Sequence, residues 1–249
     1  MKVYLSVVIP AYNEEANIRR GVMSGLYDYL KDQKYSWEVL IVDDGSSDDT
    51  AKIIADFAKK HKGFRLVRES HGGKGATVIA GMLKASGAIV LFTDMDQSTP
   101  IDQVENFFLK FKDGYEVVIG SRKGRPGQSY VRKIMAYGWV ILRTLILRLP
   151  FKDTQCGFKA FKKESVSKIF KKLQIFNEKS KARGASVTAG FDLEILYIAR
   201  KLGLKIAEVP VEWYEYGERK QVNPIKDSWE GFRDLMKVRL NALMGKYKV

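Results

Sequence analysis

The sequence predicts an α/β fold: one domain on a mainly parallel central sheet, with helices on both faces and amphipathic helices toward the C-terminal half. Over the first 120 residues, short β-branched runs alternate with longer segments of helical periodicity, as in repeated βαβ units. The chain has 249 residues and 45% of them are apolar, which is enough for one sizeable core. No internal repeat or linker divides it.

The predicted elements follow one another at regular spacing. The first five strands are expected at 3–9, 37–42, 64–67, 88–93 and 116–119. Helices are expected between them at 14–31, 48–61, 74–86 and 101–112. Beyond residue 120 we predict a short strand in DTQCGFKAF, a helix over 192–202, a strand over 205–211 and a last amphipathic helix over 227–243. The polar, glycine-bearing segment 177–190 has little to bury, and we expect a mobile loop there.

Composition restricts the possible partners. The chain carries 43 Lys and Arg against 29 Asp and Glu, a formal net charge of +14, which favours nucleotides, phosphates, nucleic acid or an anionic membrane surface. Nucleic acid fits poorly, because the positive charge is spread along the chain and the predicted strand-end loops are acidic. The single cysteine, Cys156, excludes an internal disulfide and a Cys-rich zinc site, and it fits a reducing compartment.

The apolar segments are too short to cross a bilayer. None reaches the roughly 18 apolar residues that a spanning helix needs, and the N-terminus turns polar too early for a secretory signal. We therefore expect a cytoplasmic protein without a transmembrane helix. The segment 137–151, YGWVILRTLILRLPF, is interrupted by Arg143 and Arg148. Either a helix that lies on a bilayer or a buried core helix explains its apolar bulk.

Polar loops follow four predicted strands. In parallel sheets ligands bind beyond the carboxyl ends of the strands, so these loops should carry the chemistry. They are PAYNE at 10–14, DDGSS at 43–47, ESHGGK at 69–74 and DMD at 94–96. We expect all four to converge on one edge of the sheet.

Asp94 and Asp96 stand two residues apart where a strand ends, so both side chains can leave the same face of the sheet. Two carboxylates there suit Mg²⁺ or Mn²⁺, whose shell is typically completed by substrate phosphates and water. Such a metal neutralises charge on a departing diphosphate. Solvated acids at a strand end are the alternative interpretation, since D-x-D occurs by chance on the order of once in such a chain.

Two further loops carry candidate ligands. Asp43 and Asp44 are adjacent at a strand end, where one of them can accept hydrogen bonds from a base or ribose, although capping of the next helix explains part of this acidity. The stretch HGGKGAT fits neither G-x-x-x-x-G-K-[ST] nor G-x-G-x-x-G, which argues against a P-loop NTPase and a dinucleotide dehydrogenase. Lys74 at a helix start remains a candidate phosphate ligand.

Seven stretches, in this order, resemble the family 2 glycosyltransferases, which have the Rossmann-like, nucleotide-sugar-binding GT-A fold. They are VVIPAYNEE, VLIVDDGSSDDT, GGKGATVIAGMLKASG, FTDMDQSTP, VIGSR, DTQCGFKAF and FDLEILYIARKLG. The polyprenyl-phosphate branch is most similar, and the late stretch EVPVEWYEYGERKQVNPIKDSWEGFRDLMKVRL is most like its glucosyl members. The resemblance covers nearly the whole chain. It implies a nucleotide-sugar-binding half, 1–120, and an acceptor- and membrane-facing half, 121–249, of one domain.

The resemblance also implies roles for individual residues. The nucleotide sugar would be bound by Pro10, Ala11, Tyr12, Glu14, Asp43, Asp44, Lys74, Asp94, Met95 and Ser98. The metal, Mg²⁺ or Mn²⁺, would be held by Asp96 and Asp94. Catalytic roles fall to Asp96, Asp153, Asp192 and Arg122. The acceptor and the diphosphate would be bound by Arg122, Arg132, Arg219 and Lys220.

The activity implied by the resemblance is inverting transfer of glucose from UDP-glucose to a polyprenyl phosphate at the cytosolic face of a membrane. Another nucleotide sugar, such as GDP-mannose, or a non-lipid acceptor stays open. A phosphate monoester is mostly ionised at pH 7, so the protein needs to align the acceptor and stabilise the leaving diphosphate rather than supply a strong base. The basic stretch 121–133 and the apolar segment after it predict peripheral contact with an anionic membrane.

Overall fold

The computed structural model describes residues 2–122, 130–175, 189–215 and 224–248, and for helix residues 130–133, 136, 189 and 224–228 it describes the backbone alone. The strands are β1 Leu5–Ala11, β2 Trp37–Asp43, β3 Phe64–Arg68, β4 Ile89–Phe92, β5 Val117–Arg122, β6 Lys159–Lys162 and β7 Ile206–Val211. The helices are α1 Glu15–Arg19, α2 Val22–Lys31, α3 Thr50–Lys60, α4 Lys74–Lys84, α5 Val104–Lys112, α6 Tyr130–Leu147, α7 Lys163–Phe170, α8 Ala189–Lys201 and α9 Pro224–Leu243. A 3₁₀ turn, Ile101–Gln103, precedes α5.

All seven strands join one sheet in the order β3-β2-β1-β4-β6-β5-β7. Its neighbours are parallel except β6, which runs antiparallel to both β4 and β5. The predicted mainly parallel sheet is therefore confirmed. The reversed direction of β6 places the DTQCGF stretch that precedes it next to the carboxyl end of β5, where Phe158 O accepts a 2.8 Å hydrogen bond from Gly120 N.

Alternation along the strands produces a core on each face of the sheet. In β1, Val8 faces one core, whereas Leu5, Val7 and Ile9 face the other, as the two-residue period of a strand requires. Helices α4, α6, α7, α8 and α9 contribute to the first core, and α1, α2, α3 and α5 to the second. The predicted helical cover on both faces is thus confirmed.

Two predicted helices differ in detail from the observed ones. The helix expected over 14–31 is two helices, because the chain turns at Gly21, whose φ of 92° is accessible mainly to glycine. The helix expected over 101–112 begins as the 3₁₀ turn and continues as α5. Most of the loop predicted at 177–190 lies outside the described residues, and its last two residues belong to α8.

The apolar segment 137–151 belongs mainly to α6, which has one buried face and one exposed face. Trp139, Leu142 and Ile146 pack on the core. Arg143 is only 1% exposed, and its guanidinium donates to the carbonyls of Leu149 and Phe151 and to the Thr154 hydroxyl. The charge that interrupts the apolar run is therefore directed inward and hydrogen-bonded. In the described part of the chain, no helix combines the length and apolar character needed to span a membrane.

Candidate active site

A cavity of about 260 Å³ opens at the carboxyl ends of β1, β2 and β4. The four loops expected at this edge all contribute to its wall, so their predicted convergence is observed. The lining residues are Pro10, Ala11, Tyr12, Glu14, Asn17, Asp44, Gly73, Lys74, Thr77, Asp94, Met95 and Asp96. Acidic and basic side chains therefore face the same space, beside apolar and aromatic ones.

Asp44 joins the end of β2 to the glycine loop before α4. Its carboxylate is 3% exposed and accepts hydrogen bonds from the backbone amides of Gly72, at 2.8 Å, and Gly73, at 2.9 Å. His71 Nδ1 lies 2.9 Å from Asp44 Oδ2, and the His71 ring stacks on Tyr12 with ring centroids 4.4 Å apart. Asp44 thus fixes the loop that leads into Lys74, a role that the sequence alone did not suggest.

Lys74, the first residue of α4, pairs with the acidic strand end. Its Nζ lies 2.5 Å from Asp94 Oδ1. Burial lowers the pKa of Lys74, but the charges of Asp94, Asp192 and Asp96 outweigh it and raise that pKa above its ordinary value. Lys74 is therefore a cation at neutral pH, at the N-terminus of a helix where phosphate groups are favoured.

Asp94 and Asp96 are held differently. A side chain at Gly157, in the QCGF turn, would overlap the Asp94 carboxylate, so that glycine leaves room for it. Asp96 Oδ1 accepts a 2.9 Å hydrogen bond from Ser98 N, and Arg20 donates to the Asp96 carbonyl oxygen at 2.8 Å. Sequence patterns missed Arg20, because it lies 76 residues away, just after α1.

Glu14 is a further carboxylate of the cavity and interacts with Asp94 and Asp96. Burial raises its pKa, and repulsion from Asp96 and Asp94 raises it further, against a hydrogen bond from Asn17 Nδ2 at 2.5 Å that lowers it. These three acids therefore repel one another across one space, and a bound cation would relieve that repulsion.

Asp192 stands on the first turn of α8 and is bonded to a buried lysine. Lys159 Nζ donates to Asp192 Oδ1 at 2.6 Å and to the carbonyl of Cys156. The Lys159 side chain is 0% exposed, and that of Asp192 is 18% exposed. The sequence interpretation missed Lys159, although a lysine inside the apolar strand GFKAF is a usable signal, since buried lysines are rare unless paired.

Arg122 and Asp153 form a bidentate ion pair. Arg122 Nε and Nη2 donate to the two carboxylate oxygens at 2.6 and 2.9 Å, and the guanidinium lies 6.0 Å from the centre of the Trp213 ring. Glu208 holds the backbone amides of Lys152 and Asp153. Neither partner of the pair lines the cavity, so the structure places both beside it, bonded to each other.

Of the remaining predicted residues, Asp43 and Ser98 lie next to lining residues of the cavity without lining it themselves. Asp43 is 4% exposed, accepts a 3.3 Å hydrogen bond from Ser46 N and does not line the cavity. Ser98 is 6% exposed, and its carbonyl accepts a 2.7 Å bond from Tyr214 N, which ties the turn after β4 to the segment after β7. Arg132 belongs to α6, with only its backbone described. Arg219 and Lys220 lie outside the described residues.

Solved structures share this fold. The crystal structure of glucosyl-3-phosphoglycerate synthase from Mycobacterium tuberculosis with Mn²⁺, UDP-glucose and phosphoglyceric acid is 20% identical, with a TM-score of 0.66 over 95% of this chain and 80% of that chain. Mannosyl-3-phosphoglycerate synthase from Rubrobacter xylanophilus is 18% identical, with a TM-score of 0.67 over 99% of this chain and 76% of that chain. At these identities the likeness shows the fold.

Curated relatives are more similar in sequence. A dolichyl-phosphate beta-glucosyltransferase of Dictyostelium discoideum is 35% identical over 99% of this chain and 77% of its own length. The Homo sapiens protein of the same name is 31% identical over 98% of this chain and 78% of its own length. Residues 6–170 also match the family model described as glycosyl transferase family 2. Because this match covers well over half of the chain and the relatives match nearly all of it, the protein belongs to glycosyl transferase family 2.

Proposed function

We propose that this glycosyltransferase moves glucose from UDP-glucose to a dolichyl-type polyprenyl phosphate at the cytosolic face of a membrane, with inversion at the anomeric carbon. The observation that carries the proposal is the cavity at the sheet edge, where Asp94, Asp96 and Lys74 meet. Acids and a half-buried cation at this edge suit a nucleotide diphosphate with its metal. The names of the relatives support the sugar and the lipid phosphate.

A divalent cation, Mg²⁺ or Mn²⁺, fits the residues of the cavity. Asp94 and Asp96 supply carboxylates, and the repulsion that contributes to the raised pKa of Glu14 marks an excess of negative charge. Among the described residues, no three acidic, histidine or cysteine side chains form a metal-binding group. This fits a cation that takes one or two carboxylates and completes its shell with substrate phosphates and water. When bound, it would neutralise charge on the leaving diphosphate.

The chain's own residues would bind and orient the reactants. Lys74, at the start of α4, would bind a diphosphate oxygen, and Asp44 keeps its loop in place. Tyr12, stacked on His71, offers a ring face on the cavity wall where the nucleotide base would pack. Asp192, held by Lys159, would contact the sugar. These contacts supply position and charge rather than a strong base.

The transfer needs one displacement. An ionised oxygen of the acceptor phosphate forms a bond to the anomeric carbon while the bond from that carbon to the diphosphate oxygen breaks. The electron pair leaves with UDP, whose charge the cationic groups stabilise. The acceptor oxygen is largely deprotonated at neutral pH, so no proton transfer is required. An α-linked donor therefore yields a β-linked glucosyl phosphate lipid.

A radiolabel assay tests the proposal. The protein, UDP-[¹⁴C]glucose, a polyprenyl phosphate and Mg²⁺ or Mn²⁺ should yield label in an organic-extractable lipid that mild acid cleaves. Parallel reactions contain GDP-mannose as donor or a water-soluble phosphate as acceptor. Label from GDP-mannose alone, or label confined to the water-soluble acceptor, would contradict the donor or the acceptor assignment. Chelation by EDTA should abolish transfer, and Asp96→Asn should weaken its metal dependence.

A further inference from the structure

Exposed apolar side chains are concentrated on two helices. Among the described residues, every large hydrophobic side chain that is exposed, except Leu109 and Tyr214, lies on α6, on α9 or just after α9. We call these nine residues the α6/α9 face: Ile134, Met135, Tyr137, Ile141, Leu145, Trp229, Leu240, Leu243 and Met244. A helix on the surface of a globular protein normally directs charged or polar residues to water, so this face requires a partner.

The α6 part of the face is a continuous stripe. Ile134, Tyr137, Ile141 and Leu145 recur at spacings of three or four residues, which places them on one side of the helix. Tyr137 is 70% exposed and Leu145 is 75% exposed. Between residues 134 and 147, no exposed side chain in the described part of α6 carries a charge, because the charge of Arg143 points into the core.

The two helices lie together on one side of the sheet. Both pack on the core that contains α4, α7 and α8, and a side chain at Gly231 of α9 would contact the Trp139 ring of α6. Their outward faces are therefore neighbours. The face is also linked to the candidate site, since Asp234 of α9 packs against Gly190 on α8, two residues before Asp192.

The charges beside the face are positive. From residue 229 to residue 248, the charged side chains that are exposed are all basic, whereas Glu230 is half-buried and Asp234 is buried. They are Arg233, Lys237, Arg239, Lys246 and Lys248. Apolar side chains flanked by Lys and Arg are characteristic of helices that lie in the headgroup region of an anionic bilayer.

We propose that the α6/α9 face docks on the surface of an anionic bilayer, with its nine apolar side chains in the headgroup region and the basic side chains of α9 on lipid phosphates. A second copy of the chain fits this face less well, because dimerisation would bring two sets of exposed basic residues together, and Asp234, the acid that pairs with Arg233 and Lys237, is buried. Docking would bring the cavity to a lipid-borne acceptor phosphate. The biological purpose of the docking therefore rests on the proposed function.

Vesicle co-sedimentation tests the proposal. The wild-type protein should bind vesicles of phosphatidylcholine mixed with phosphatidylglycerol, and should bind vesicles of phosphatidylcholine alone much less. Ile141→Glu/Leu145→Glu and Leu240→Glu/Leu243→Glu should each weaken binding by more than about tenfold, since each pair removes two apolar contacts and adds two repelled charges. Leu109→Glu is the matched control, because Leu109 is 58% exposed on α5, at the opposite side of the sheet.

Three results would overturn the proposal. The first is unchanged vesicle binding by both double variants. The second is an equal loss of binding in Leu109→Glu. The third is a wild-type protein that does not bind vesicles and sediments as a dimer that the double variants dissociate, which would make the face a self-interface. Thermal unfolding of each variant close to that of the wild type verifies the fold, as expected for exposed positions.

Transfer assays with two acceptors distinguish a failure of the docking proposal from a failure of the proposed function. The double variants should lose transfer to a polyprenyl phosphate embedded in vesicles but keep wild-type transfer to a short, water-soluble prenyl phosphate in buffer. If the wild type glucosylates neither acceptor, the proposed function fails, and the vesicle binding experiment still decides whether the face docks. If the double variants lose transfer to both acceptors equally while vesicle binding persists, the docking role fails.

Discussion

At the scale of single residues, two lysines each pair with one acidic residue of the candidate site. Lys74 pairs with Asp94, and Lys159 bonds to Asp192. The described hydrogen bond to the Asp96 carboxylate instead comes from a neutral amide, that of Ser98. Asp96 therefore keeps more of its negative charge for a cation, which favours it over Asp94 as the principal metal ligand in the proposed reaction.

Replacing Lys159 should impair catalysis through Asp192. In Lys159→Met, Asp192 and the Cys156 carbonyl lose a buried donor, which should cost about 1–3 kcal/mol of unfolding free energy. The misplaced Asp192 should lower kcat by up to about 100-fold, whereas the KM for the acceptor should change little. Steady-state kinetics and urea unfolding measure the two effects.

The controls for this prediction separate positioning from stability. Lys168→Met removes an exposed lysine on α7 and should change neither quantity, and Lys159→Arg should restore part of kcat. A Lys159→Met protein that is less stable but has the wild-type kcat would limit Lys159 to a structural role.

Local patterns could identify only part of the site. Asp94, Asp96 and Lys74 were predictable because each directly follows or precedes a regular element in the sequence. Lys159 was missed: its apolar neighbours hinted at burial, but the alternation of a strand does not tell which face is fully covered. Arg122 and Asp153 are 31 residues apart in the sequence. A periodic sequence pattern cannot predict a contact between residues at that separation.

At the scale of elements, the loop between β3 and α4 depends on a contact from β2. Asp44 holds the amides of Gly72 and Gly73, and Gly73, with a φ of 83°, sets the turn into α4. The position of Lys74 therefore depends on one carboxylate that directly follows a neighbouring strand.

Asp44→Asn should loosen this loop. Asparagine replaces one of the two acceptor oxygens with an NH2 group. One of the two glycine amides therefore loses its acceptor, at a cost of about 1–3 kcal/mol. Hydrogen exchange at Gly72 and Gly73 should accelerate, and UDP-glucose should bind more weakly as Lys74 moves. Asp49→Asn, at an exposed position in the same turn, is the control. Unchanged protection of both glycine amides would refute the assigned role.

The elements themselves were largely predictable, whereas the direction of β6 was not. Hydrophobic periodicity depends on burial, so it indicated the strands, the helices and the parallel first half of the sheet. The antiparallel insertion of β6 between β4 and β5 depends on the path of the chain after α6, which periodicity does not record. The break at Gly21 was also missed, because a glycine within a helical pattern is often tolerated.

The pair Arg122 and Asp153 should make stability depend on pH. Burial raises the pKa of Asp153, but Arg122 outweighs it and holds that pKa below its ordinary value. The carboxylate therefore contributes stability above the unfolded pKa of about 3.9, and this contribution is lost as pH falls through the lower, folded value. Arg122→Met should cost up to about 3–5 kcal/mol at neutral pH, because it leaves the largely buried carboxylate of Asp153 without its cationic partner.

Urea unfolding of three proteins checks this prediction. Arg122→Met/Asp153→Leu should recover most of the lost stability, since it removes both charges. The penalty of the single variant should also shrink in acid, where Asp153 is protonated. A single variant as stable as the wild type at neutral pH would show that the pair contributes nothing.

At the scale of the whole molecule, the cavity and the α6/α9 face occupy different parts of the sheet's surroundings. The cavity lies at its carboxyl edge, and the α6/α9 face lies on the side covered by α4, α6, α7, α8 and α9. In the proposed function, the net charge of +14 would attract anionic substrates and lipids alike, and the acids in the cavity would supply the place for a metal. The overall charge was evident in the sequence, but its separation into an acidic cavity and a basic helix surface depends on the fold.

Ligand binding should therefore stabilise the whole domain in a metal-dependent way. At about 100 times its dissociation constant a ligand adds roughly 2.7 kcal/mol, which corresponds to about 5–10 °C in Tm for a domain of this size. UDP-glucose with Mn²⁺ should give such a shift, and UDP-glucose with EDTA a smaller one. Asp96→Asn should abolish the difference between the two conditions, because it removes the carboxylate with the most available charge. Asp102→Asn, on the exposed surface of the 3₁₀ turn, should keep the difference, so an equal loss in both variants would remove Asp96 from the proposed metal site.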